Sequence, residues 1–177
     1  LSASFLPSPI SYHVSSKGIS SHFIEYKDRI AERFVLDLIR PSYPHIIHPY
    51  CFHKFGPSGC RKALAHLNKH LSSGRYDYLL RLDIKSFYAS IHHNTLLDLL
   101  AQDFNDPRLL LLFERFVTRY LFTPRGFSNP DVGLSYRSPL SHFFASIYLK
   151  PLDQAFDRMA VSYTRYMDDI VILCSSH

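Results

Sequence analysis

The sequence predicts an α+β fold in which an antiparallel sheet packs on helices. Three observations carry this. Two β-prone runs, residues 163–166 and 170–173, flank a Met167-Asp168-Asp169 break, which is how a hairpin with carboxylates at its tip reads. A third apolar run, Tyr78-Leu79-Leu80-Arg81-Leu82, leads to Asp83 and reads as another strand. The remaining stretches show apolar residues at helical spacing.

Taken in order, residues 1–22 are polar and rich in Pro and Ser, and are expected to be extended. A helix is predicted from Tyr26 or Lys27 to Ile39, with an inward stripe of Ile30, Phe34, Val35, Leu38 and Ile39, stopped by Pro41. Pro44, Pro49 and Pro57 break the next stretch into loop. A second helix is predicted from Ser58 or Gly59 to about Leu71, with Leu64, Leu67 and Leu71 facing inward, before Ser72-Ser73-Gly74 punctuates the chain. Asn94 reads as the N-cap of a helix over residues 95–104. Pro107 opens a strongly apolar helix to about Tyr120. Residues 124–133 read as loop. Ser138 or Pro139 opens a helix whose Leu140, Phe143, Phe144 and Ile147 share one face, a core stripe, and Pro151 should kink it. There is no internal repeat.

With 46% hydrophobic and 15% aromatic residues, the 177-residue chain can build a packed core. The net charge of +5 suits a polyanionic partner. No stretch is long and apolar enough for a bilayer span, so no membrane partner is expected. The start lacks both an initiator Met and the basic-then-apolar form of a signal peptide. Three unpatterned cysteines, Cys51, Cys60 and Cys174, fit a reducing compartment, and a cytoplasmic location is expected. His45, His48, Cys51, His53 and Cys60 lie close in sequence, but the second half of a zinc-type Cys-x-x-Cys pattern is missing.

The chemistry sits in the acids. An aspartate at a strand end or hairpin tip is, taken singly, equally readable as a turn residue. Two adjacent carboxylates, however, repel unless a cation holds them. Asp83 at the end of one strand, with Asp168 and Asp169 at a hairpin tip, can hold two divalent ions that activate an attacking hydroxyl and stabilise a leaving phosphate oxygen.

The residues around these acids carry a resemblance. Tyr166-Met167-Asp168-Asp169 resembles the YMDD box of reverse transcriptases, and Leu82-Asp83-Ile84-Lys85-Ser86-Phe87-Tyr88-Ala89-Ser90-Ile91 resembles their first palm motif. Between them, the run from Ser141-His142-Phe143-Phe144-Ala145 to Pro151-Leu152-Asp153 is similar, without a gap, to the second palm motif of the bacterial group related to group II introns and diversity-generating retroelements. The resemblance implies a right-hand polymerase fold with fingers over residues 1–76 and palm over residues 77–177. It further implies that the palm's closing segments and the thumb lie outside these residues, so the chain reads as a truncated or naturally minimal fingers-palm unit.

The same resemblance implies roles. Asp83, Asp168 and Asp169 would be catalytic and would bind two Mg²⁺ ions, which Mn²⁺ can replace, with the Ile84 carbonyl adding an oxygen. Tyr88, five residues after Asp83, would floor the sugar pocket and screen out ribonucleotides. Met167 would touch the primer end. Lys54 and Arg61 would hold the triphosphate. Asp28-Arg29-Ile30 resembles another fingers element, with Ser21 or His22 standing where a basic residue is usual. His93 would begin a helix and not act as a base. The implied partners are an RNA template, a DNA primer and dNTPs.

One departure stands out. Where the family reads Gly-Leu-Pro-x-Gly-x, this chain reads Gly133-Leu134-Ser135-Tyr136-Arg137-Ser138, and the gapless register, preferred to one anchored on Ser138-Pro139-Leu140 that needs a three-residue insertion, sets Arg137 in place of a glycine. Arg137 would then either bind template phosphate or obstruct the nucleotide site. Two function classes follow: an RNA-directed DNA polymerase, and a catalytically impaired nucleic-acid-binding or assembly module that keeps the fold.

Overall fold

The computed structural model describes residues 5–14 and 20–175. The chain forms two compact units, one of Leu1–Pro41 with Tyr88–Tyr148, the other of Ser42–Phe87 with Leu149–His177. Each is built from segments distant in sequence.

In the first unit, β1 (Ile10–Val14) pairs antiparallel with β2 (Ser20–Phe23) and parallel with β4 (Leu121–Thr123), which turns into β5 (Gly126–Ser128). Sheet order is β2-β1-β4-β5. Residues 124–133, expected as loop, thus contain a short strand. The tight turn places Gly126 at φ 111°, a conformation that a side chain disfavours. The helices are α1 (Tyr26–Ile39), the short α4 (Phe87–Ser90), α5 (His93–Asp103), α6 (Pro107–Val117) and α7 (Ser141–Tyr148). The Asp106 side chain accepts the Arg108 N–H at 2.9 Å and so caps α6. Helix α5 begins one residue before Asn94, with His92 as its N-cap, so Asn94 is not the cap. The core is aromatic: Phe104 and Phe113 meet edge to face with centroids 5.3 Å apart, and Phe143 and Phe144 close around Phe113. Leu140, Phe143, Phe144 and Ile147 are all buried, as their spacing predicts.

Helix α1 matches its predicted bounds but is rotated from the predicted face. Asp28, Ala31, Glu32, Val35, Leu36 and Ile39 are buried, while Ile30, Phe34 and Leu38 are exposed. The cause is a buried polar hub. Glu32 receives hydrogen bonds from the Arg119 guanidinium and the Ser138 hydroxyl, and Asp28 receives the Ser8 N–H at 2.9 Å. Buried charges persist only when paired, so the acids, not the larger apolar residues, set which side of α1 faces in.

In the second unit, α2 (Tyr43–Ile46) leads through a 3-10 segment (Phe52–Ser58) to α3 (Gly59–Leu71). Then come β3 (Tyr78–Leu82), α8 (Lys150–Asp157), β6 (Ser162–Tyr166) and β7 (Asp169–Cys174). The sheet is antiparallel with order β3-β7-β6. Tyr163, Ile170 and Ile172 form its core, joined by Ile84, Leu152, Phe156 and Val161. The Phe156 and Tyr163 rings stack at 4.7 Å. Pro151 lies in the first turn of α8, and the helical run that began at Ser141 is interrupted at Leu149.

Helix α3 also has its predicted bounds and a different inner face. Gly59 and Ala63 are buried, while Leu64 and Leu71 are exposed. Small residues face in because the approach is close. A Cβ on Gly59 would lie 2.3 Å from the Phe52 carbonyl oxygen and 3.2 Å from the Tyr166 ring. Among the described residues no helix is long and apolar enough to cross a membrane.

Candidate active site

The register of the second unit's sheet positions the acids. Strand β3 pairs with β7 from Tyr78↔Cys174 to Leu82↔Ile170. Asp83 follows Leu82 and Asp169 precedes Ile170, so one further step of the ladder would set the two acids across from each other. Side chains directly opposite in an antiparallel ladder project from the same face, and Arg81, two residues before Asp83, shares that face. Arg81 indeed reaches Asp169, Nη2 to Oδ1 3.0 Å. That hydrogen bond and charge, with a smaller contribution from Asp83, hold the Arg81 guanidinium above its ordinary pKa. Asp83 and Asp169 are solvent-exposed and Asp168 is half-buried.

Strands β6 and β7 are joined by a two-residue turn, Met167-Asp168, in which Met167 adopts φ 58°. A residue with a side chain holds this left-handed conformation only under outside constraint. Two constraints are present. The Met167 carbonyl accepts Arg165 Nη1 at 2.9 Å, and its N–H donates to His53 Nδ1 at 3.2 Å. Arg165 is fully buried and bound at two points by buried Asp153, Nε–Oδ1 2.8 Å and Nη2–Oδ2 2.5 Å. Tyr163 donates its hydroxyl to the same Asp153 at 2.6 Å. Burial and the adjoining carboxylate push the Tyr163 phenol far up, so it stays protonated.

The structure disposes the remaining predicted residues as follows. The Ile84 carbonyl accepts the Phe87 N–H at 3.2 Å, which leaves its second lone pair for another partner. Lys54 donates to the carbonyls of His48 at 2.8 Å and Ile47 at 3.2 Å, and burial lowers its pKa. Arg61 is exposed on the first turn of α3. In the first unit, Tyr88 on α4 hydrogen-bonds His142 Nδ1 at 2.9 Å with the two rings edge to face. Arg137 is exposed, 5.8 Å over the Tyr136 ring, on a turn pinned by Ser138 to Glu32 and by the Ser141 hydroxyl to the Ser135 carbonyl. His93 is the first residue of α5, and its Nε2 donates to the Gly133 carbonyl at 2.7 Å.

For divalent ions, the donor chemistry of Asp83, Asp168 and Asp169 fits a hard, oxygen-seeking cation, and their exposure leaves room for the waters such an ion keeps. Among the described residues, however, no three His, Cys, Asp or Glu side chains converge closely enough to hold a metal as they stand. The acids share one end of the sheet, with Asp169 turned to Arg81. Arg81, His53, Asp153 and Gly59 were not singled out from the sequence as site residues. Only Arg81 had a readable signal there, its two-residue offset from Asp83 on a strand.

The fold is shared with known structures. A partial Cas6-RT-Cas1–Cas2 complex matches with TM-score 0.58 at 20% identity, over 97% of this chain and 30% of that one. A Cas6-RT-Cas1–Cas2 complex matches with the same score and identity over 97% of this chain and 19% of that one. A telomerase from Candida tropicalis, truncated from its C-terminal domain, matches with TM-score 0.50 at 14% identity, over 85% of this chain and 34% of that one. The chain thus spans less than a third of the first two chains it resembles. A comparison with curated proteins finds no match. The sheets packed on helices, one mixed and one antiparallel, fit a fingers-palm fold, and residues 17–177 match the family model for reverse transcriptase (RNA-dependent DNA polymerase), so the chain belongs to the reverse transcriptase family.

Proposed function

We propose that the chain is the fingers-palm part of an RNA-directed DNA polymerase that transfers a nucleotide onto a primer 3′-hydroxyl. The observation that supports this is the pair Leu82↔Ile170, which leaves Asp83 and Asp169 as the next residues at one end of the sheet, beside Asp168 in the hairpin turn. Asp83, Asp168 and Asp169, with the Ile84 carbonyl, would hold two Mg²⁺ ions, or Mn²⁺ in their place. Such ions, when bound, supply Lewis-acid activation of the attacking hydroxyl and charge stabilisation of the leaving pyrophosphate.

The chain's own groups do the positioning. Met167 at the turn meets the primer end. Tyr88, buttressed by His142, presents its ring to the sugar and collides with a 2′-hydroxyl. Arg61 and Lys54 are the cations for the triphosphate, and exposed Arg137 contacts template phosphate. The partners are an RNA template, a DNA primer and dNTPs, in the cytoplasm.

A second reading has its own support. Asp169 is turned to Arg81, and among the described residues no three His, Cys, Asp or Glu side chains converge. A protein in that state would bind nucleic acid without extending it. Primer extension on an RNA template with dNTPs and Mg²⁺ separates the two, run on wild type beside Asp83→Asn and Asp168→Asn. Extension by the wild type and a loss of about a hundredfold or more in each variant support the polymerase. No extension, with salt-sensitive RNA binding retained, supports the second reading.

A further inference from the structure

A short parallel bridge lies beside the catalytic hairpin. Cys51 pairs with Arg165 of β6, and the Arg165 N–H donates to the Tyr50 carbonyl at 2.9 Å. In a parallel pair both chains advance together, so two residues on, His53 comes alongside Met167. There the Met167 N–H donates to His53 Nδ1 at 3.2 Å, a contact between residues 114 positions apart in sequence.

This contact fixes the state of the imidazole. A nitrogen that receives an N–H must carry a lone pair, so Nδ1 is unprotonated and the ring proton sits on Nε2. The Cys51 thiol lies 3.4 Å from the same Nδ1, and the Tyr166 ring stands edge-on to His53 at 6.3 Å. The Met167 carbonyl is already held by Arg165, itself fastened to buried Asp153. One turn residue in a left-handed conformation therefore has both its backbone polar groups taken by side chains. Asp168 and Asp169 follow directly.

We propose that His53 is a positioning residue: by accepting the Met167 N–H it locks the left-handed turn and so sets where Asp168 and Asp169 stand. The catalytic half of this inference rests on the polymerase reading above. Misplacing reacting groups by about 1 Å can cost on the order of a hundredfold in rate, and Asp168 and Asp169 are the two residues that follow Met167 in the chain.

Two substitutions isolate the acceptor. His53→Phe keeps a ring and removes the lone pair. His53→Asn places its carbonyl oxygen near where Nδ1 stood and restores it. The first readout is NMR on the ¹⁵N-labelled chain. A through-bond coupling between the Met167 and His53 Nδ1 nitrogens is expected. In His53→Phe the amide signals of Met167, Asp168 and Asp169 should move or broaden, and in His53→Asn they should return. The second readout is kinetic: His53→Phe lowers kcat about ten- to a hundredfold with KM for dNTP within about twofold, and His53→Asn recovers most of it.

A missing coupling, or unmoved Asp168 and Asp169 amides in His53→Phe, overturns the proposal. Where the wild type extends primers, equal activity of the Phe and Asn variants does so too. If the wild type does not extend primers while the NMR results hold, the polymerase reading fails and takes the kinetic half with it, and the clamp on the turn stands.

Discussion

Arg165 and Asp153 form a two-point ion pair with neither side chain exposed to solvent, and Arg165 passes that constraint on to the Met167 carbonyl. Burial opposes the charge on Arg165, but the hydrogen bonds to Asp153 and the attraction of nearby groups outweigh it and raise its pKa. The guanidinium is therefore a permanent cation whose stability depends on one carboxylate.

Removing that carboxylate should be severe. Breaking one side of a buried pair leaves an uncompensated charge and costs roughly 3–5 kcal/mol. Asp153→Ala also strands the Tyr163 hydroxyl. We expect a loss of that size in urea unfolding, with part of it recovered in the Asp153→Ala/Arg165→Met double variant, since replacing both partners leaves no unpaired buried charge, while the Tyr163 hydroxyl and the Met167 carbonyl still lose these hydrogen-bond partners. A loss below about 1 kcal/mol in the single variant would show that water reaches the pair.

Gly59→Ala sets two effects against each other. Gly59 has helical dihedrals, φ −61° and ψ −47°, so alanine alone would stabilise α3 by about 0.5–1 kcal/mol. The new Cβ would meet the Phe52 carbonyl at 2.3 Å and the Tyr166 ring at 3.2 Å. Overpacking of this kind costs roughly 1–3 kcal/mol, and the contact is with backbone, which yields poorly. The variant should be destabilised, with the Tyr166 ring resonances displaced. A stabilised variant would mean that the Phe52–Ser58 segment yields freely.

The same contact explains what the sequence could and could not reveal. Helix bounds such as Tyr26–Ile39 and Gly59–Leu71, the hairpin, and the strand leading to Asp83 followed from period and punctuation. So did the buried face of Leu140, Phe143, Phe144 and Ile147, where apolar residues and core coincide. The inner faces of α1 and α3 did not follow, because there the packing choice is made by partners far along the chain. Glu32 is drawn in by Arg119, and Gly59 by Phe52 and Tyr166. Periodicity weighs hydrophobicity and carries no information on distant partners. Among site residues, the acids stood out by position and resemblance. His53 did not, since its role exists only once Cys51 pairs with Arg165.

Three histidines make stability depend on pH. Burial depresses the pKa of His142. It does the same for His22, assisted by Arg137, and for His66, assisted by His70 and Lys69. Each therefore binds a proton more weakly folded than unfolded, so the unfolded state takes up more protons as pH drops below about 6.5. Their contribution to stability is full above that pH and is lost as pH falls toward the depressed folded values. Denaturant midpoints should decline between about pH 7 and pH 5, and His142→Gln should flatten the decline. A midpoint that rises on acidification would contradict the direction of all three shifts.

Arg81 offers a direct measure of whether Asp169 serves a cation. The guanidinium and a divalent ion would compete for the same carboxylate, because Arg81 holds Asp169 by a 3.0 Å hydrogen bond and Asp83 stands two residues beyond Arg81. The Arg81 side chain is 73% exposed, so solvent and salt screen the pair and the competition is mild. We expect Arg81→Gln to bind Mn²⁺ about two- to fivefold more tightly by electron paramagnetic resonance titration. The gain should shrink at high salt and vanish in an Asp169→Asn background. An unchanged affinity in Arg81→Gln would mean that Asp169 contributes nothing to the bound ion. The site would then rest on Asp83 and Asp168, and Arg81–Asp169 would be a strand-to-strand tie alone.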